Sequence, residues 1–281
     1  MTETSTTTDE LTNAGDDSSA AMCAQQRIRY RVRFAKTGLL RWIGHQDMIR
    51  LWERIARRAD LKLSMTEGFT PKPRFVFPSA LALGAEGVNE VVEIELAESI
   101  APTEMLNRLV RDNQPGLSIN RVSRLPDGFG KAQLIRTDYR VSAPTGVDGH
   151  DVVINWNRIG ESIDALLSKE SITIERKKKA VTLVVQQQIH ELRVDDESIV
   201  LSLIATNSAS LRPNDVLTLL SLDNWIDGGA TITRTNVHLD NEFETSDLDE
   251  IATRKQSPPA SMRLTQTLQS HQAGPTPVRG A

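Results

Sequence analysis

The residues best equipped for chemistry lie in residues 27–74, where thirteen Lys or Arg stand against four Asp or Glu, a net of +9 in a chain that sums to −4. Such an imbalance implies an anionic partner for this segment. Arg27, Arg29, Arg31 and Arg33 alternate with Ile28, Tyr30, Val32 and Phe34, the period of a strand with one buried face and a row of arginines on its wet face. Arg50, Arg54, Arg57 and Arg58 recur at helical spacing, which gathers four guanidinium groups opposite an apolar stripe. Lys36 and Arg41 lie between these two runs, and Lys72 and Arg74 flank Pro73 in a proline-fixed loop. If the fold brings these cations together, they form a groove that neutralises several phosphates, with affinity falling steeply as salt rises. Phe69, beside Gly68, and Trp42 offer rings on which a base could stack. The plainer reading is solvated charge on amphipathic elements, with Trp42 in the core.

His45-Gln46-Asp47 suggests proton transfer, since a histidine at a helix N-terminus can act as general acid or base. The alternative is a structural helix start in which Asp47 meets free N–H groups and His45 only hydrogen-bonds. His150, His190, His238 and His271 show no ligand spacing with His45 or with one another, so no metal site is expected. Cys23 is the single cysteine, which excludes an internal disulfide and a cysteine-only zinc or iron–sulfur site in these residues. No serine elbow, G-x-x-x-x-G-K-[ST] or G-x-G-x-x-G occurs, and Gly84-Ala85-Glu86-Gly87 reads as a turn. Arg176-Lys177-Lys178-Lys179 is a second basic spot, expected at a hairpin tip or as an extension of the polyanion surface.

Positioning these groups requires a strand over residues 27–35, a short apolar piece over 39–43 and a helix over 47–59. That helix is marked by Met48, Leu51, Trp52, Ile55, Ala56 and Ala59, with Gly44 as N-cap. Short strands are expected over 61–65 and 74–82, a strand over 88–96, a helix over 102–112 and a strand over 117–122. The order is βαββαβ. The second half gives a fainter version: a strand ending at 139–142, a helix over 159–167, strands over 172–175, 181–188 and 199–204, a helix over 213–220 and a strand over 230–239. The expected fold class is α+β, with two ferredoxin-like halves in tandem at 26–125 and 126–240. Disordered tails are expected at 1–25 and 241–281, since residues 1–25 hold no Lys or Arg and the last stretch has no periodicity. With no apolar run of membrane length and no secretory pattern, the expected location is the cytoplasm, away from membrane.

The run F-x-K-x-G-x-x-R-W-I-G-H-Q-D-M-x-R-x-x-E-R-x-x-R-R-A from Phe34, followed by S-M-T-E-G-F-T-P-K-P-R-F and L-A-L-G-A-E-G-V-N-E, resembles the radical SAM-linked family of uncharacterised proteins, the DUF2344 domain. The resemblance is dense over residues 27–96 and thinner to about residue 239. It places the family's recurrent residues on Lys36, Gly38, Arg41, His45, Asp47, Arg50, Glu53, Arg54, Arg57, Arg58, Gly68, Phe69, Pro71, Gly84 and Glu90. It implies a companion of a cobalamin-binding radical SAM protein, encoded beside it or fused to its C-terminus, often in company with ribosome or RNA-processing genes. The partner, not this chain, would hold the iron–sulfur cluster, S-adenosylmethionine and cobalamin, since no C-x-x-x-C-x-x-C is present. Three positions depart from the pattern: Gly44 replaces a usual Ser, and Thr70 and Lys72 replace Asn and His in the Gly68–Pro73 loop. The leading expectation is an accessory protein that presents tRNA or rRNA to the radical SAM enzyme. The alternatives are an RNA-modifying enzyme using His45 and Asp47, and a protein-only scaffold.

Overall fold

The computed structural model describes residues 27–146, 153–206 and 209–242, all within one compact unit, Met1–Thr245. Strand β1 (Ile28–Lys36) leads through a 3-10 turn (Gly38–Trp42) into α1 (His45–Arg58); β2 (Phe75–Val76), β3 (Glu86–Leu96), α2 (Pro102–Val110) and β4 (Leu117–Arg124) complete the first half. The second half contains β5 (Leu134–Ser142), α3 (Trp156–Leu167), β6 (Ser171–Arg176), β7 (Lys179–Val184), β8 (Ile189–Val194), β9 (Ser198–Ile204), α4 (Pro213–Leu219) and β10 (Ile232–Leu239). Together they give a mixed α+β architecture, dominated by an eight-stranded, mostly antiparallel sheet ordered β4-β1-β3-β10-β5-β9-β8, with β2 against β3. Only β10 and β3 pair in parallel, through Thr233↔Glu86 and Arg234↔Gly87.

Burial follows the alternation of the strands. Tyr30, Val32 and Phe34 of β1, with Val92 and Ile94 of β3, bury one face, on which Trp52 of α1 packs edge-on to Phe34 at 5.0 Å. In the second half Val141, Ile199, Leu201 and Leu203 join Ile159, Ile163 and Leu166 of α3 and Val216 and Leu217 of α4 in one apolar cluster. The opposite face of β5 and β9 therefore carries Arg136, Asp138 and Ser202.

Several expected elements differ. The 61–65 stretch forms only isolated bridges, Leu63↔Leu96 and Met65↔Pro73, and the strand expected over 74–82 shrinks to the two residues of β2. Pro71, Pro73 and Pro78 remove ladder donors on both sides of it. Residues 189–194 form a strand that no simple alternation announces, because a register shift between Ile189 and Glu191 breaks the period of two. A separate hairpin, β6–β7, turns at Lys177 (φ 49°) and Lys178 (φ 64°), so the basic run is a hairpin tip whose two lysines take the left-handed conformation of a primed turn. The expected tails lie outside the described residues, as does Cys23, except that Asn241 and Glu242 are ordered against β1. Among the described residues no helix is long and apolar enough to cross a membrane.

Candidate nucleic-acid interface

The arginine row of β1 is not a wet face. Arg31 and Arg33 are 3% and 7% exposed, and Lys36 is buried with them. Arg29 donates to Glu93 at 2.6 Å and Arg31 to the same carboxylate at 2.8 Å. Arg31 also reaches the Asn241 carbonyl at 2.8 Å, while Arg33 donates to the Val237 carbonyl at 2.9 Å and to Glu242 at 2.5 Å. Residues 126–134 and 239–242 thus cover the face that alternation alone left to solvent. The same face is partly apolar, since Val91, Val237 and Leu239 pack with Ala132 and Leu134. These guanidinium groups hold Asn241 and Glu242 to the first strand and are not presented to a polyanion.

Lys36 lies across a bulge from Phe34 and donates to the Ile43 carbonyl at 3.0 Å, which fixes the entry to α1. Burial pushes its ammonium below the ordinary lysine value; Glu90 opposes that shift and Arg234 adds to it. Glu90 and Arg234 form a bidentate buried pair, Nε to Oε1 at 2.8 Å, and Arg234 also donates to Ser79 Oγ at 2.8 Å. Gly87 is obligatory beside them, since a Cβ there would lie 2.3 Å from Glu90 Oε1.

The remaining cations belong to α1 and the loop after it. Gly44 is the N-cap with extended φ and ψ, and Asp47 occupies the first turn. His45 packs edge-on to Phe77 at 5.3 Å, whereas Asp47 accepts from Arg50 at 3.1 Å, so no hydrogen bond joins the expected proton-transfer pair. Arg58 forms a two-point contact with Asp112, Nη2 to Oδ2 at 2.8 Å. That hydrogen bond raises the guanidinium further and holds the Asp112 carboxyl below its usual range. Arg54 and Arg57 are exposed and make no hydrogen bond or ion pair among the described residues; Glu53 is likewise unpaired there. The cleft of about 490 Å³ beside Arg58 also contains Arg108 and Arg111, but Asp60, Glu104 and Asp112 balance those charges.

The loop carrying Phe69 is closed by its own backbone, with Thr66 N–H donating to the Lys72 carbonyl at 2.8 Å and Lys72 N–H to Thr66 Oγ1 at 2.9 Å. Gly68 has φ +119°, Pro71 follows it, and Phe69 is fully exposed at 109%. Lys72 is exposed, but Arg74 is partly buried and donates to the Met65 carbonyl at 3.1 Å, so it supports the loop from below. Trp42 is 58% exposed, not in the core. Its ring lies over Gly84, where φ is +81° and a Cβ would be 3.1 Å from the indole. Arg41 stacks on the same ring at 5.1 Å and reaches Thr231 Oγ1 at 3.2 Å. Gly38, at φ +60°, donates its N–H to Glu86 at 2.8 Å and sets the 3-10 turn.

The motif therefore does two things: its buried members build the junction of β1, β3 and β10, and its exposed members leave cations and rings at the surface. Over residues 29–213 the sequence matches the family described as an uncharacterized protein conserved in bacteria, DUF2344. The chain belongs to the DUF2344 family. No curated protein matches it. A solved structure described as an unknown protein from Galdieria sulphuraria is similar at 13% identity and a TM-score of 0.25, covering 77% of this chain and 100% of that one.

Beyond the motif, the fold assembles a group that sequence spacing does not reveal. His238 Nε2 lies 2.5 Å from Asp138 Oδ2, although the two are a hundred positions apart. Ser202 donates to Asp138 Oδ1 at 2.6 Å, and Asn89 donates to Asn236 at 2.7 Å. Burial raises the Asp138 carboxyl, but hydrogen bonds from His238 and Ser202 outweigh it and hold the group below its ordinary value. Antiparallel pairing of β5 with β10 and β9 creates this proximity, so only a correct strand order could have found it. Among the described residues no cluster of His, Cys, Asp or Glu could hold a metal ion.

Proposed function

We propose that this DUF2344 protein is a cytoplasmic accessory subunit that binds RNA and presents it to a separate radical SAM enzyme, which supplies the iron–sulfur cluster, S-adenosylmethionine and cobalamin. The observation that carries the RNA reading is α1, where Arg54 and Arg57 are exposed and have no counter-ion among the described residues, next to Arg50, which pairs with Asp47 on the same helix. Unpaired guanidinium groups one turn apart repel one another mildly, and phosphates spaced along a backbone relieve that repulsion. Phe69 and Lys72 on the closed loop, and Trp42 with Arg41, add exposed ring and cation surfaces of the kind that stack on unpaired bases. The site is narrower than residue types alone suggest: Arg29, Arg31, Arg33 and Lys36 support it from within.

The finer reading of the fold also belongs here. We read the chain as two ferredoxin-like units in tandem, with β6–β7 inserted into the second; the neighbour orders β4-β1-β3-β2 and β10-β5-β9-β8 support that reading.

Binding of short single-stranded RNA, followed by fluorescence anisotropy across a salt series, tests the function. Replacing Arg50, Arg54 and Arg57 together by Ala should reduce the slope of log K against log salt by about 2, since each phosphate contact contributes roughly 0.7 for a single strand. Absence of binding at low salt, or an unchanged slope in the triple variant, overturns the proposal.

A further inference from the structure

Hydrogen-bond donors are concentrated on the sheet face that carries Arg136, Asp138 and Ser202. His238 Nε2 is approached by Asp138 Oδ2 at 2.5 Å, by Arg136 Nη2 at 3.1 Å and by the Asn236 amide nitrogen at 3.1 Å. The short contact to a carboxylate requires a proton on Nε2, which donates to Asp138. Arg136 then points an N–H group at a nitrogen that has no lone pair for it, while the Asn236 amide has only a long contact, 3.5 Å, to the lone pair on Nδ1. The Asn236 oxygen is already engaged by Asn89, which fixes its amide nitrogen toward the imidazole. Asp138 accepts from Ser202 on Oδ1 and from His238 on Oδ2, one hydrogen bond on each oxygen. Arg136 Nε, 3.4 Å from Asp138 Oδ1, is buried and makes no hydrogen bond.

Buried polar groups in folded proteins are nearly always satisfied, so a buried guanidinium Nε with no hydrogen bond, beside an Nη2 aimed at a protonated ring nitrogen, marks a place for an acceptor-rich group. The spot is accessible: the side chains of Arg136, Asp138 and His238 are 30%, 26% and 25% exposed. Those donors converge from two strands whose register is fixed by His238↔Arg136 and Asn236↔Asp138. We propose that Arg136, Asn236 and His238 form a binding site for a phosphate group on this face, with Asp138 and Ser202 orienting the imidazole beneath it. A phosphate offers tetrahedrally arranged acceptors to a guanidinium edge, an amide and a ring, and the Arg136 charge favours an anion over a neutral acceptor. The site is independent of α1 and does not need its arginines.

The test is an NMR titration of the full chain with sodium phosphate, ribose 5-phosphate and a short oligoribonucleotide, matched in ionic strength with sodium chloride. The expected result is a saturable downfield shift of the Arg136 Nε–H, with the His238 ring signals moving in parallel. A response to the oligoribonucleotide alone assigns the phosphate to an RNA backbone, and a response to ribose 5-phosphate assigns it to a small ester. Arg136→Gln should weaken binding at least tenfold. Asp138→Asn removes a nearby negative charge and should tighten it about three- to tenfold, whereas a purely structural network would gain nothing from that change. No phosphate-specific shift in the unaltered protein, or weaker binding in a folded Asp138→Asn variant, overturns the proposal. The Arg54→Ala/Arg57→Ala variant should bind phosphate here unchanged, so this site and the RNA surface of α1 fail separately.

Discussion

Glu90 and Arg234 show how a family motif can serve structure. Both are buried, and their two-point contact crosses from β3 to β10. A buried pair of this kind adds little over a well-packed apolar substitute, but breaking it leaves an uncompensated charge. Glu90→Gln should therefore lower the unfolding free energy by about 3–5 kcal/mol, while Glu90→Leu with Arg234→Met should recover much of the loss. Urea denaturation of the three proteins checks both statements. Lys36, beside this pair, gives a pH signature. Burial, the largest influence, pushes its folded value below the ordinary 10.5, so the unfolded chain holds that proton more tightly than the folded one. Stability then rises with pH between the folded value and that of the free side chain. Relative to Lys36→Met, the unaltered protein should gain stability as pH rises from the lowered folded value toward the ordinary 10.5 in equilibrium unfolding. A constant difference across that window would contradict it.

At the scale of elements, α1 was legible and β1 was not, for reasons that differ. The apolar stripe of α1 runs through Met48, Leu51, Trp52, Ile55 and Ala56, all buried, so amphipathic spacing alone fixed which arginines stay outside. In β1 the alternation was also correct, yet the second face is covered by chain from more than ninety residues away. A period of two says which residues share a face but not what lies on it. The same limit explains Trp42: short-range pattern suggested core, whereas the 3-10 turn and Gly84 hold the indole at the surface. Helix entry is more local and supports a direct expectation. Gly44 has φ −74° and ψ 172°, and a Cβ there would meet no atom within 4 Å. Gly44→Ser restores the hydroxyl cap without strain and should stabilise the protein by a few tenths of a kcal/mol, about 0.3. Thermal unfolding measures it; a loss of stability would mean that the cap position carries another role.

The whole unit was only partly readable, because its coherence depends on contacts between distant strands. Direct pairing of β3 with β10 involves two residue pairs, which is a short seam for a sheet of eight strands. Side chains extend it: Arg234 to Glu90, Asn89 to Asn236, and Arg33 to the Val237 carbonyl and Glu242. The burial of Arg31 and Arg33 follows from this requirement, since each ties the first half to residues that follow the second. If that is their role, the described unit unfolds as one cooperative system, and loss of Arg33 should divide it. Trp52 reports on the first half, while Trp156 and Trp225, in edge contact at 5.8 Å, report on the second. In the unaltered protein, fluorescence and far-UV circular dichroism should give a single coincident urea transition. In Arg33→Met the donors to Val237 and Glu242 are gone, and the signal of Trp156 and Trp225 should separate from that of Trp52, the latter isolated by a Trp42→Phe/Trp156→Phe/Trp225→Phe background. Coincident transitions in Arg33→Met would place the coupling in the β3–β10 seam and the Glu90–Arg234 pair alone, and the arginine row would then need a different explanation.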